Sequence, residues 1–197
     1  MRASAIEDLY VRRIDFEQRR AEQEKLGKEL EPVFREFLAY AGQDLFREVR
    51  SGTRTEDHEL IDLVVTLKNG KQIAIQLSFA RDSDIRQAKL ASIARMPIVE
   101  KLYDERGRPL YVDPMPRALL SGGNPEKWKM ALEHYNSGDK PHTYFQKPEA
   151  ETSFLLDQFA LNFKYLATRH PDRRNFFSEY ASYFEQKMGG GTMRASS

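Results

Sequence analysis

The chain contains no cysteine among its 197 residues, which excludes disulfide bonds, thiolate metal ligands and cysteine nucleophiles. It also lacks an excess of charge, because 31 Lys+Arg against 30 Asp+Glu leave a formal net charge of +1. A charge this small does not attract the whole chain to nucleic acid or to an anionic membrane, so any such binding must be local. The longest stretch without a charged residue, 72–80, is far shorter than the roughly 20 residues of a membrane span. With no apolar leader, we expect a cytoplasmic protein without membrane association.

Hydrophobic residues make up 40% of the chain, enough to build a core for one domain with accessory helices. We divide the sequence into four segments. They are an N-terminal helical arm (1–25), an α/β core (26–121), a helical extension (122–188) and a tail (189–197). The tail is rich in Gly and Ser, which predicts disorder.

The core segment begins with an amphipathic helix, because apolar residues from Leu26 to Ala41 recur on one helical face. Pro32 has no amide hydrogen and is best tolerated in a first helical turn, so we expect Glu31 to lie at a cap or a kink. Gly42 is a typical helix stop.

Three strands are predicted next, around residues 45–49, 59–67 and 71–80. Asn69-Gly70 is a strong hairpin signal, so the second and third strands should be antiparallel neighbours. A two-residue turn would place Asp62 opposite Leu77, whereas a three-residue loop with Gly70 in the left-handed conformation would place it opposite Gln76. We favour the second register because it separates apolar from polar side chains. One face then holds Ile61, Leu63, Val65, Leu67, Ile73, Ile75 and Leu77, and the other holds Asp62, Val64, Thr66, Ala74 and Gln76.

The rest of the core predicts a helix and a further strand. Asp82 and Ser83 are good N-caps for a helix that ends near Met96, before Pro97. Residues 109–112 and 117–120 are short extended segments on either side of a Pro-rich turn, and we expect the fourth strand at the second of them. Asn124-Pro125 begins another helix. Two aromatic-rich helices follow, around residues 153–168 and 176–188, whose aromatic faces we expect to be buried.

The resulting order, αβββαβ, resembles the PD-(D/E)XK nuclease superfamily, which has a restriction-endonuclease-like fold. The resemblance covers residues 26–121 and is carried by three motifs. They are Lys28-Glu29-Leu30-Glu31 on the helix, Glu59-Leu60-Ile61-Asp62-Leu63-Val64 on the second strand and Ile73-Ala74-Ile75-Gln76-Leu77-Ser78 on the third.

The resemblance implies metal-dependent phosphodiester hydrolysis on DNA or RNA. Glu31, Asp62 and Gln76 would be ligands of Mg²⁺, which orients water and stabilises the charge that grows on a phosphate. Asp62 and Gln76 would be catalytic residues together with a lysine. Here Gln76 replaces the second acid of the family, and Ser78 replaces its lysine.

Lys89 is our candidate for the missing lysine, because some members carry it on the following helix. Lys89 lies within the apolar row Ile85, Ile93 and Met96, where a lysine needs a polar destination. Arg81 is the second candidate, and also a candidate contact for nucleic acid. Lys89 could equally extend past the helix edge, and Asp62 and Gln76 could be structural.

One compact basic cluster, formed by Arg169, Arg173 and Arg174, is a further candidate for phosphate contact. The histidines are scattered without the pairing of a zinc helix. The alternative to a nuclease is a catalytically inactive version of the fold that serves as a protein-interaction or assembly module, without Mg²⁺.

Overall fold

A computed structural model describes residues 2–57, 60–79, 83–104 and 106–189, and in α1 the side chains from residue 17 onward, except 20 and 23. The helices are α1 (Arg2–Ala41), α2 (Arg54–Asp57), α3 (Ser83–Arg95), α4 (Pro125–Asn136), α5 (Pro148–Arg169) and α6 (Arg174–Gly189). The strands are β1 (Phe46–Ser51), β2 (Leu63–Leu67), β3 (Gln72–Ser78), β4 (Ile98–Tyr103) and β5 (Pro109–Ser121). Arg81, the predicted helix cap Asp82 and the tail from residue 190 lie outside the described residues.

The five strands form one mixed sheet in the order β1-β2-β3-β5-β4. All neighbours are antiparallel except β3 and β5, which are parallel and connected through α3 and β4. The predicted α/β class is therefore confirmed. Within the described residues, no helix is long and apolar enough to cross a membrane.

The β2–β3 hairpin has the predicted three-residue loop. The amide of Leu67 donates to the carbonyl of Lys71 at 2.8 Å, and the amide of Gly70 donates back to Leu67 at 2.9 Å. Gly70 has a φ of 86°, which is the left-handed conformation that glycine adopts without steric cost. Leu63 consequently lies opposite Ile75, as the apolar pattern requires.

Two parts of the predicted core are wrong. The segments 109–112 and 117–120 belong to one strand, β5, and the strand β4 that pairs with it was missed. Prolines are tolerated here because the part of β5 before Arg117 pairs with β4 alone. On its other side no described strand is paired, so a residue without an amide hydrogen loses no hydrogen bond there.

The helix cap expected at Glu31 is wrong, because Glu31 lies inside α1, whereas the alternative of a kink at this point stays a prediction. α1 is one helix of 40 residues that contains Pro32 in its interior and joins the N-terminal arm to the core without a break. Pro32 deprives the carbonyl of Lys28 of its helical donor. Packing compensates, because Leu30, Val33 and Phe34 around the proline are fully buried.

The main core lies between one face of the sheet and helices α1, α4, α5 and α6. It includes all the β2 and β3 residues predicted for that face except Ile61. The predicted aromatic burial in α5 and α6 is confirmed, because Phe159, Phe163, Phe177, Tyr180 and Phe184 are all buried. A second, smaller cluster joins Val64 and Ala74 to the β4–β5 hairpin.

Helix α5 also closes an edge of the sheet with two amide side chains. The Asn162 side chain accepts from the amide of Leu119 at 3.0 Å and donates to its carbonyl at 2.9 Å. Gln158 pairs with Ser121 in the same way, at 2.7 and 3.1 Å. These bonds replace a neighbouring strand where β5 has passed the end of β4.

Candidate functional site

The candidate site lies where β2 begins beside the carboxyl end of β3. Leu60 has a φ of 60°, unusual for a residue other than glycine, and the chain turns there before it enters the sheet. Asp62 therefore lies one residue before β2, and the prediction that the strand begins at residue 59 is wrong. Ile61 is likewise displaced from its predicted face and packs in the second cluster with Val64 and Ala74.

The pairing between β2 and β3 ends at Leu63 and Ile75. Leu77, two residues further along β3, therefore has no partner residue in β2. The carboxylate of Asp62 accepts a hydrogen bond from the Leu77 amide, with 2.5 Å between Oδ2 and N. Asp62 is itself fixed by its backbone, since its amide donates to Ile75 at 2.9 Å and its carbonyl accepts from Gly52 at 2.7 Å. A side chain thus replaces the missing strand at this point.

Lys89 of α3 reaches the same residue. Its Nζ donates to the carbonyl oxygen of Leu77 at 2.7 Å, which is the polar destination that a lysine in an apolar row requires. Asp62 and Lys89, far apart in sequence, therefore meet at the backbone of a single residue. Gln76 precedes that residue, is half-buried and pairs with Leu119 of β5.

Ser78 occupies the position at which the resemblance described above implies a lysine. It is buried, and its Oγ has no hydrogen-bond partner within the described part of the chain. A buried hydroxyl of this kind is costly, because burial removes its water without supplying a replacement. β3 carries no cationic side chain at this position, and the ammonium of Lys89 binds the carbonyl of the preceding residue, Leu77.

Glu31 is placed on the side of α1 that approaches the end of β1. It is half-buried and lies one turn before Arg35, whose Nη1 donates to the Ser51 hydroxyl at 3.2 Å. Ser51 pairs with Leu63 at the start of β2. No hydrogen bond between described residues joins Glu31 to Asp62 or Gln76. The convergence of these three side chains on one metal ion stays a prediction.

Glu56, which the sequence reasoning missed, holds the loop that precedes Asp62. Its carboxylate accepts two hydrogen bonds from Arg50, at 2.7 and 2.8 Å, and one from the amide of Thr53 at 2.7 Å. Burial would raise the pKa of Glu56, but these hydrogen bonds together outweigh it and hold the pKa below its ordinary value. These three hydrogen bonds form what we call the Glu56 clasp. In the sequence, only the position of Glu56 in a loop with Thr, Gly and Arg could have indicated it.

The predicted basic cluster is divided among different partners. Arg173 donates to Glu100 of β4 at 2.8 Å, and the Arg169 guanidinium lies 5.5 Å from the ring centre of Tyr165. Arg174 is exposed in the first turn of α6. The three arginines therefore have different neighbours, and their contact with phosphate stays a prediction.

The three predicted metal ligands, all among the described residues, carry oxygen donors. Asp62 and Glu31 offer carboxylates and Gln76 an amide oxygen, a donor set that suits Mg²⁺ better than softer metals. Among the described residues, no group of three or more His, Asp and Glu is arranged to hold a metal ion. A site made from Glu31, Asp62 and Gln76 has only two residues of those types.

Comparison of the chain with protein-family models, with curated proteins and with solved structures finds no match.

Proposed function

We propose that the chain is a divergent nuclease-like protein of the PD-(D/E)XK type that binds nucleic acid and hydrolyses phosphodiesters with Mg²⁺. The observation that carries the proposal is the meeting of the Asp62 carboxylate and the Lys89 ammonium at the backbone of Leu77. An acid before the second strand, a polar residue on the third and a cation beside them are the elements of such a site. The parallel pairing of β3 with β5, which follows α3 and the additional strand β4, supports a restriction-endonuclease-like core.

Each side chain has a distinct task in this proposal. A carboxylate has about four lone-pair sites, so the Leu77 hydrogen bond orients Asp62 and leaves it capacity as a metal ligand. Gln76 contributes its amide oxygen, and Glu31 can add a carboxylate from α1. Bound Mg²⁺ would orient the attacking water and stabilise the charge on the phosphate. Lys89 places a positive charge beside the acid, where it can attract the scissile phosphate.

One observation favours a second function, an inactive fold that serves in protein interaction or assembly. Asp62, as acceptor, and Lys89, as donor, together satisfy the Leu77 backbone, a structural task that needs no metal. In that case the exchange of the usual acid for Gln76 and of the usual lysine for Ser78 would mark a lost activity.

Cleavage assays on Asp62→Asn and Lys89→Ala separate these functions. Asn keeps an acceptor for the Leu77 amide but loses the charge that binds metal, so we expect a folded protein without Mg²⁺-dependent cleavage of DNA or RNA. Lys89→Ala should lower the rate while Mg²⁺ still raises the melting temperature. The matched controls are Asp113→Asn and Lys140→Ala, both at exposed positions.

The nuclease proposal is wrong if the purified chain cuts neither DNA nor RNA with Mg²⁺ or Mn²⁺ and if neither metal changes its melting temperature. That result would leave the inactive fold as the function supported by the Leu77 contacts.

A further inference from the structure

A second polar site lies at the C-terminal end of α3. It is a cleft of about 530 Å³ between the end of α3, the strand β4 and the turn that joins α5 to α6. We call it the β4 cleft. The residues that the inference uses are Arg95, Lys101, Tyr103, Arg117, His170 and Arg173.

The β4 cleft has a strong local charge in a chain that is nearly neutral. Arg95, Lys101 and Arg173 contribute three exposed positive charges, and Arg117 contributes a fourth that is buried. Glu100 is the single acid among the described lining residues. Its volume falls in the range of about 300–1,000 Å³ that is usual for sites of small ligands or single groups of larger ones. Cationic side chains around a cleft of this size fit phosphate groups.

Two tertiary contacts keep the walls of the cleft in place. The ring of His170 is bonded through Nε2 to the carbonyl of Ala94 at 2.9 Å, so Nε2 carries the hydrogen. Arg173 donates through Nη1 to Glu100 at 2.8 Å, and its Nε lies 3.9 Å from Asp172. The α5–α6 turn is therefore fastened to both α3 and β4.

An aromatic side chain distinguishes this cleft from a site for free phosphate. Tyr103 lines the cleft and is 45% exposed, and Met96, another lining residue, is also exposed. Exposed aromatic rings next to cationic groups are the platforms on which unpaired bases stack. A duplex hides its base faces and could not use Tyr103 in this way.

We propose that the β4 cleft binds a single nucleic-acid strand, with phosphates at Arg173, Lys101 and Arg95 and a base on Tyr103. The inference rests on the proposed function, because it supplies the substrate path for the site at Asp62. The sheet connects the two sites. Arg117 pairs with Ala74, which lies two residues before Gln76 and so about 7 Å from it along β3.

Fluorescence anisotropy with a labelled 12-nucleotide strand, in EDTA and low salt, tests the inference without any cleavage. Arg173→Gln should weaken binding about tenfold and reduce the slope of log K against log salt by about 0.7, the loss of one phosphate contact. Glu100→Gln should tighten binding severalfold, because it removes the acid that competes for Arg173. Arg47→Gln, on β1 at the opposite edge of the sheet, is the matched control and should have no effect.

The pair Arg173→Gln and Glu100→Gln makes the test decisive. Both variants break the same ion pair, so a purely structural role would change binding in the same direction in both. Opposite directions support the cleft, and equal weakening overturns it. Tyr103→Ala should weaken binding of the strand about tenfold, while Tyr103→Phe should not.

Three other results would also overturn the inference. They are stronger binding of a duplex than of the strand, equal affinity for a nucleoside monophosphate, and a loss of binding in Arg47→Gln as large as in Arg173→Gln. Because EDTA removes the metal, a protein that binds the strand here and fails to cleave it with Mg²⁺ would refute only the proposed activity.

Discussion

The indole N–H of Trp128 donates to the carbonyl oxygen of Gly122 at 2.6 Å. Trp128 is fully buried in α4, and Gly122 is the residue directly after β5. The indole also packs against Phe34 and Phe145, with ring centres 4.7 and 4.9 Å away. One side chain thus satisfies a buried backbone carbonyl and fills the space between α1 and α4.

Trp128→Phe should destabilise the protein by about 3 kcal/mol, since it leaves the Gly122 carbonyl unsatisfied and opens a small cavity. Urea unfolding followed by circular dichroism measures the change. Met130→Leu, at an exposed position of the same helix, should change the free energy of unfolding by less than about 0.5 kcal/mol. A Trp128→Phe protein as stable as the wild type would show that this hydrogen bond contributes nothing.

Gly122→Ala tests the same contact from the other side. An added Cβ would lie 2.5 Å from the ring of Phe79 and 2.8 Å from Trp128 Nε1. Such overpacking should cost about 1–3 kcal/mol, because the neighbouring rings are themselves buried and cannot move aside. Gly27→Ala, where no atom lies within 4 Å of an added Cβ, should be neutral or stabilising. Thermal unfolding of both variants decides the comparison.

Phe163→Ala should lower the free energy of unfolding by about 3–5 kcal/mol, as for other large buried aromatic side chains. Phe163 is fully buried and contacts Tyr180 and Phe184 of α6. Phe154→Ala removes the same side chain from an exposed position in the same helix and should cost far less. Equal losses in the two variants would contradict the packing described for α5 and α6.

Asn162→Leu should expose the edge of β5, because it leaves both backbone groups of Leu119 without partners. The expected loss is about 2–4 kcal/mol for two unsatisfied buried groups. An open sheet edge also pairs with other chains, so light scattering should show aggregation. The exposed neighbour Leu161 gives the control, since Leu161→Asn should increase solubility without a loss of stability.

The Glu56 clasp predicts a dependence of stability on pH. Because its folded-state pKa lies below the ordinary value of 4.5, ionised Glu56 stabilises the fold above that pH. This contribution is lost as the pH falls through 4.5 towards the lower folded-state pKa. Glu56→Gln should therefore cost about 2–3 kcal/mol at pH 7 and less at pH 3, measured by urea unfolding at each pH. Glu133→Gln, an exposed substitution, should show no such convergence.

Local chemistry made much of this fold predictable from sequence. Asn69-Gly70 and the alternation around it gave the hairpin and its register, and the Asn124-Pro125 cap gave α4, where the Asn124 side chain accepts from Glu126. Pro114 and Pro116 were misleading because proline usually marks a turn. A strand can contain proline where it has only one neighbouring strand, as in this part of β5. The number of neighbours depends on the whole sheet and cannot be read from a local sequence pattern.

The candidate site was predictable only in part. An acid, an amide and a lysine could be assigned to neighbouring elements, and Lys89 does reach Leu77. The exact place of Asp62 depends on the positive φ of Leu60, a conformation that its residue type does not predict. Glu31 was assigned through the family resemblance, and the packing of a long helix decides where such a residue lies.

The parallel pairing of β3 with β5 has a consequence for the order in which the chain folds. The β2–β3 hairpin closes a loop of three residues, an event of about 1–10 μs, and needs no other part of the chain. β5 can pair with β3 only when the intervening chain, which contains α3 and β4, has folded back to bring the two strands together. The other edge of β5 is completed by Asn162, 43 residues beyond Leu119. Closing such loops costs entropy before any contact repays it. The hairpin that presents Gln76 should therefore be an early structure in refolding, and the arrival of α5 a late, rate-limiting step.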